Sequence, residues 1–272
     1  MDNTKIEWAD ASWNPVTGCR HNCYYCYARN MARRFAFRIA PDPGHGWGDN
    51  QYSGKECECG KIHVVEAEPL LESQKKRNPY PYGFDPTFHE YRLDIPQHWR
   101  KPRNIFVCSM ADLFGAWVPD SWIEKVFAAC DAAPQHNYIF LTKNGGRYGE
   151  LLRSKILWPK ENMWFGQTST GHGDFHDVWR LGYRVNQFIS VEPLTQSPQD
   201  LCKRAYGGAP YWIIIGAMTG PSGKRNQPTR AWVEEICEMA DLECMPVFMK
   251  DSLIPIVGEE KMRRELPKGL VR

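Results

Sequence analysis

No run of this sequence approaches the roughly 20 apolar residues that a bilayer-spanning helix needs. The opening residues, MDNTKIEWAD, also lack the apolar stretch of a secretory signal. A membrane partner is therefore not expected, and the default location is the reducing cytoplasm. Bulk charge is missing too: 34 Lys+Arg stand against 32 Asp+Glu, a formal net of +2. That balance neither demands nor excludes a nucleic-acid partner. No internal repeat is evident.

What is present is a 272-residue chain, 42% hydrophobic and 24% charged, long enough for one large α/β domain with a substantial core. It also has ten cysteines, 11 tryptophans, 12 tyrosines and 12 phenylalanines. In a reducing compartment disulfides explain ten cysteines poorly, and close-spaced ones read better as metal ligands.

From residue 103 onward a rhythm of short apolar runs appears: RNIFVCSM, NYIFLTKN, NMWFGQTS, NQFISVEP, YWIIIGAM and MPVFMK. Such runs, without polar alternation, fit strands covered on both faces of a parallel sheet. Helical patterns separate several of them. Ile123, Val126, Phe127 and Cys130 recur at i, i+3, i+4 and i+7, with Asp120 or Ser121 as the expected cap; Val233, Ile236, Cys237 and Ala240 repeat the spacing behind Thr229. With a first strand over Ser12 to Val16, the reading is a full or partial (β/α) barrel of about six or seven parallel strands. A doubly wound open sheet is the alternative. Residues 1–272 read as one domain, with residues 41–92, rich in proline, glycine and charge, as an insertion or lid carrying a short strand at Ile62 to Val65.

The segment TGCRHNCYYCYARN spaces Cys19, Cys23 and Cys26 as C-x3-C-x2-C. A zinc site takes four ligands, commonly as two separated pairs. Three thiolates on one tight loop match instead an iron–sulfur cube with three irons held by protein and the fourth open to an outside ligand. A structural zinc site that borrows a distant fourth ligand is the bland alternative. Tyr24, Tyr25 and Tyr27 would shield such a centre and tune its potential, although plain packing explains Tyr24 equally well.

With Tyr25 as the aromatic of C-x3-C-x-aromatic-C, the segment resembles the defining motif of the radical S-adenosylmethionine (SAM) superfamily. The resemblance implies a full or partial (β/α) barrel with a 4Fe–4S cluster in the loop after the first strand. It also implies SAM bound to the fourth iron, and reductive cleavage to a 5′-deoxyadenosyl radical that abstracts a substrate hydrogen. An electron donor of flavodoxin or ferredoxin type would be a partner. KIEWADASWNPVTGC, RLDIPQHWRKPRNIFVCSMADLF, VPDSWIEKVF, APQHNYIFLTK, FISVEPL, IIIGAMTGP and PVFMK further resemble a phage-associated radical-SAM-like family of mostly uncharacterised proteins. The chain departs from that pattern where Lys250 is followed by Asp251, Ser252 and Leu253 instead of Gln-Trp-Gly. The Cys57-containing insertion is a second departure.

Functional groups of a parallel barrel gather where strands end. By analogy with the superfamily, Ser109 and Asp112 are candidates for the methionine amino end of SAM, Lys143 for its carboxylate, and Gln167 with Ser169 for the ribose. Gly216, in GAMTGP, would allow close backbone approach to the adenine or sulfonium. Glu192 and Lys250 follow apolar runs directly, where an unpaired charge would cost several kcal/mol. They are the candidates for substrate contact or proton handling.

Cys57, Cys59 and His63 form a weaker C-x-C-x3-H pattern for zinc or an auxiliary cluster. His172 and His176 read as loop residues at the mouth, and Cys130 and Cys237 as core. Arg29, Arg33, Arg34 and Arg38, interleaved with Phe35 and Phe37, fit either a solvated helix face or contacts to phosphates and bases. Three functional readings follow. One is a radical SAM enzyme that modifies or rearranges a nucleobase, nucleotide or DNA, or acts as a lesion-repair lyase. The others are a zinc-stabilised nucleic-acid-binding module without catalysis, and a cluster protein for electron transfer or sensing.

Overall fold

The computed structural model of the chain describes residues 4–35, 62–71, 76–171, 181–182, 185–204, 212–220, 223 and 225–270. The expectations for Phe37, Arg38, Cys57, Cys59, His172 and His176 lie outside the described residues. Strands β1 (Ala11–Trp13) and β2 (Val16–Thr17) precede the cysteine loop, and the helix Tyr27–Phe35 follows it. Next come β3 (His63–Val65), β4 (Leu70–Leu71), β5 (Lys76–Arg77) and β6 (Thr87–His89). The remaining strands are β7 (Asn104–Val107), β8 (Asn137–Thr142), β9 (Met163–Ser169), β10 (Asn186–Val191), β11 (Ile213–Ile215) and β12 (Val247–Met249).

Seven of these form one sheet in the order β1-β7-β8-β9-β10-β11-β12, every neighbouring pair parallel. The order never reverses, so the doubly wound alternative falls and the sheet curls into a half-barrel. The single first strand expected over Ser12 to Val16 is split in two. Pro15 has no N–H to give a ladder, and beyond it β2 leaves for a second sheet, β2-β6-β3.

Alternation along the strands sorts their side chains onto two faces. Ile105, Tyr138, Phe165, Ile189 and Ile213 pack outward against Ile123, Tyr148 and Val233 of the helices Asp120–Asp131, Gly146–Arg153 and Arg230–Leu242. Phe106, Ile139, Trp164, Phe188 and Phe248 turn to the concave side, where Trp8 and Trp212 complete an aromatic plug. Gly166 is required there, since a Cβ would lie 2.2 Å from the Phe188 ring.

The cap of Arg230–Leu242 is as expected, with Trp232 N donating to Thr229 Oγ1 at 3.2 Å. The cap expected at Asp120 or Ser121 is not formed: Pro119 is the N-cap residue, without a side-chain bond. Asp120 lies in the first turn, where its charge suits the helix dipole, and pairs with Arg147. The last strand is not left bare. Met249 N donates to Arg263 O and Glu265 N to Val247 O, so the tail covers the outer edge of β12. Glu7 accepts from Asp251 N at 2.8 Å and Arg264 Nη1 at 2.7 Å, tying the start of the chain to the end of β12.

In the small sheet His89 is fully buried and shares a 2.8 Å hydrogen bond with Thr17 Oγ1. Burial first, then the Arg92 charge, push its pKa down to about 3. The unfolded chain therefore takes up a proton near pH 6.5 that the fold refuses. Stability is full above about pH 6.5 and is lost progressively as pH falls toward 3. Urea unfolding is expected to show about 2 kcal/mol less stability at pH 5 than at pH 7 from this residue, a loss that His89→Gln removes.

Candidate functional site

The chain leaves β2 through Gly18, whose φ is +83°; a Cβ there would fall 2.2 Å from Asp85 O. Only glycine meets both demands. Gly18 N donates to Met110 O and Cys19 N to Phe84 O, so the loop is hung between the end of β7 and residues 84–85. Asn22, with φ 53°, turns the chain between Cys19 and Cys23. Cys19, Cys23 and Cys26 are half-buried free thiols. Cys26 stands at the start of the helix Tyr27–Phe35, where Arg29 N points to its sulfur at 3.3 Å.

Burial, with repulsion from Asp112, Cys26 and Cys23, pushes the Cys19 thiol up to about 12. Three thiolates on so short a loop would repel one another unless a cationic group lay among them. Among the described residues no three His, Cys, Asp or Glu side chains are gathered tightly enough for one metal ion. An all-thiol set on one loop is the donor type an iron–sulfur cluster takes, and one iron per sulfur does not require convergence on a single ion.

Around this loop the expected residues fall into two groups. Lys143 Nζ lies 5.3 Å from the centre of the Tyr25 ring, which joins the end of β8 to the cysteine motif. Tyr24 meets Tyr25 edge-on at 5.0 Å. Ser109 Oγ donates to Asn14 Oδ1 at 3.2 Å, and the same oxygen accepts from Met110 N at 2.9 Å. In the second group Lys250 donates to Glu192, both half-buried, at the ends of β12 and β10. A Cβ on Gly216 would stand 3.1 Å from Glu192 Cγ and 3.2 Å from Lys250 Cδ, so glycine makes room for the pair. Tyr27 links the groups. Its hydroxyl donates to Ser109 O at 2.7 Å while much of its ring stays exposed, and desolvation at that hydroxyl first, then the Glu192 carboxylate, raise its phenol.

Three expected residues are placed differently from their sequence roles. Asp112 is buried and accepts four bonds: from Thr142 Oγ1 (2.7 Å) and Phe114 N (3.0 Å) on Oδ1, and from Lys143 N (2.9 Å) and His21 Nε2 (2.7 Å) on Oδ2. A carboxylate has about four lone-pair sites, all taken here. Asp112 is a brace between the cysteine loop and β8. Gln167 and Ser169 share the helix-facing side of β9 with Phe165, and Ser169 Oγ accepts from Gly171 N at 3.1 Å. Thr168, between them, alternates to the concave side with Trp164.

Sequence reasoning missed Asn14 and His21. An Asn before Pro15, and a titratable residue inside the cysteine motif, were the available signals. Asp112→Asn is expected to strand one of the four donors at a cost of about 1–3 kcal/mol, read by urea unfolding, and to lower iron retention by loosening the His21 loop.

A family model described as "Protein of unknown function (DUF5131)" matches residues 3–254. No curated protein matches the chain. Among solved structures, a spore photoproduct lyase complexed with dinucleoside spore photoproduct is similar at 11% identity and a TM-score of 0.44, over 92% of this chain and 61% of that one. A doubly substituted spore photoproduct lyase with bound AdoMet and dinucleoside spore photoproduct gives 11% identity and a TM-score of 0.46, over 80% and 59%. The chain spans about three-fifths of the length of these structures.

Proposed function

The chain belongs to the family of proteins of unknown function DUF5131, and for this member we propose a radical SAM enzyme acting on a nucleobase. One observation carries the reading: three free thiols on a single loop at the strand-end rim of a parallel half-barrel, braced by Asp112. A 4Fe–4S cluster held there by Cys19, Cys23 and Cys26, with SAM and a flavodoxin- or ferredoxin-type electron donor, would supply a 5′-deoxyadenosyl radical.

The chain's own residues divide the remaining work. Cys19, Cys23 and Cys26 hold three irons, and the Arg29 amide steadies the Cys26 sulfur. Lys143, held beside Tyr25, offers its ammonium to the methionine carboxylate. Thr168 presents a hydroxyl toward the ribose from the concave side. Gly216 leaves space at the rim, and Tyr25, beside Lys143, shields the loop. Glu192 and Lys250 share a hydrogen bond and together hold or return one proton at the substrate. Exposed tyrosines and arginines beside the loop support a base-bearing substrate.

Anaerobic reconstitution with iron and sulfide tests the reading, followed by dithionite, SAM and mass spectrometry. The expected result is acid-labile sulfide near four per chain and slow formation of 5′-deoxyadenosine. A zinc-loaded, sulfide-free protein, or a cluster that leaves SAM intact, overturns it.

A further inference from the structure

We propose that the face beside the cysteine loop binds single-stranded nucleic acid, so that the proposed enzyme takes its base from a polymer rather than as a free nucleotide. The inference rests on the nucleobase reading above and extends it to the form of the substrate. Two independent observations meet on this face. The first is charge. Among the described residues from Ala11 to Phe35 the sequence has four arginines, no lysine and no acidic residue, and residues 62–71 and 76–85, which supply the rest of the face, add Lys76 and Arg77 against Glu66, Glu68 and Asp85. The face thus has a formal charge of +3, which leaves −1 for the rest of the chain. The positive charge is local even though the bulk balance hides it.

The second is exposed aromatic surface. Eight large hydrophobic side chains are exposed among the described residues, and six of them lie in this region: Tyr24, Tyr27, Phe35, Ile62, Val64 and Tyr82. Four are aromatic. The parts form one surface, because the helix Tyr27–Phe35 packs Ala28 and Ala32 against Tyr80 and Met110, with Phe84 alongside. Arg29 is held over the Phe84 ring at 5.5 Å and bonded to Asn22 Oδ1 at 2.8 Å. Tyr82 is stacked flat on His63, 3.8 Å apart and 3° from parallel. The ring is thereby set in place before any base arrives.

Arginine with exposed tyrosine is the composition that tracks a phosphate backbone while stacking successive bases. A duplex buries its base faces and cannot use the rings. A bilayer is poorly served: the buried side of the helix is only Ala28 and Ala32, while Arg33 and Arg34 sit exposed in its last turn. The same loop that carries the three cysteines carries Tyr24, so a base stacked there lies beside the mouth of the half-barrel.

The test uses anaerobically reconstituted full-length protein and fluorescence anisotropy with a labelled 15-nucleotide thymidine strand, its duplex, and thymidine triphosphate as competitor. The single strand is expected to bind more tightly than the duplex and to resist the nucleotide. Tyr24→Ala and Tyr82→Ala, on separate loops, should each weaken it by about tenfold. Arg34→Ala should reduce the slope of log K against log salt by about 0.7. Trp158→Ala, exposed elsewhere, should change nothing. Equal binding of duplex and strand, no response to either tyrosine variant, or tyrosine-dependent binding of phosphatidylserine vesicles alone overturns the proposal. Formation of 5′-deoxyadenosine without oligonucleotide, measured on parent and Tyr82→Ala proteins, separates the two readings. If it is absent while strand binding responds, the radical SAM reading falls and the surface stands. The reverse pattern sinks the surface alone.

Discussion

Cys26→Ala is expected to abolish SAM cleavage and to leave reconstituted protein with little iron or sulfide. Cys26 differs from the other cysteines in two ways. It is the last of the three thiols, and it sits at a helix start where Arg29 N reaches its sulfur, the kind of amide contact that steadies a cluster ligand. Losing it removes one of the three proposed ligands and strands that amide. Cys19→Ala and Cys23→Ala should act alike. Cys130→Ala is the matched control: that thiol is fully buried on the helix Asp120–Asp131, its pKa pushed well up by burial, and it faces the core. It should keep full iron while losing only modest stability. Iron, sulfide and 5′-deoxyadenosine measured together decide the matter; if Cys26→Ala and Cys130→Ala retain iron equally, the cysteine loop is not the cluster site.

Lys250→Met is expected to separate stability from chemistry. The variant leaves the Glu192 carboxylate without its partner at the strand-end rim. A fully buried pair broken this way costs 3–5 kcal/mol. Here 23% of the lysine and 29% of the glutamate side chain are exposed, so the cost should be about 2 kcal/mol. Substrate-dependent turnover should fall by about 10²–10⁴, the usual contribution of a positioned acid or base, with slow uncoupled SAM cleavage retained. The double variant Glu192→Gln/Lys250→Met removes both charges. It should recover the lost stability in urea without recovering turnover. If turnover returns with stability, the pair is structural and the proton-handling role fails.

The half-barrel was legible in the run of apolar segments from Asn104 to Met249, because strands buried on both faces cannot hide their composition. Six of the seven sheet strands lie inside quoted runs, and the pairing of Glu192 with Lys250 answers the cost of a charge directly after an apolar strand. Less was legible where one residue decides direction. Pro15 divides what reads as one strand, and Pro119 takes the cap position next to Asp120. Gln167 and Ser169 look like rim polar groups in a linear reading, yet strand alternation turns them to the helices and leaves Thr168 inside.

The three thiols, their spacing and the helix behind them were settled by local sequence, since eight consecutive residues confine them to one loop whatever the rest of the chain does. Tertiary structure alone decided what surrounds that loop. Asp112 became a brace because His21, Thr142, Lys143 and Phe114 reach it from positions 2 to 91 residues away. Contacts between distant segments depend on how the sheet curls, and no spacing along the chain encodes which lone pairs that curl will fill.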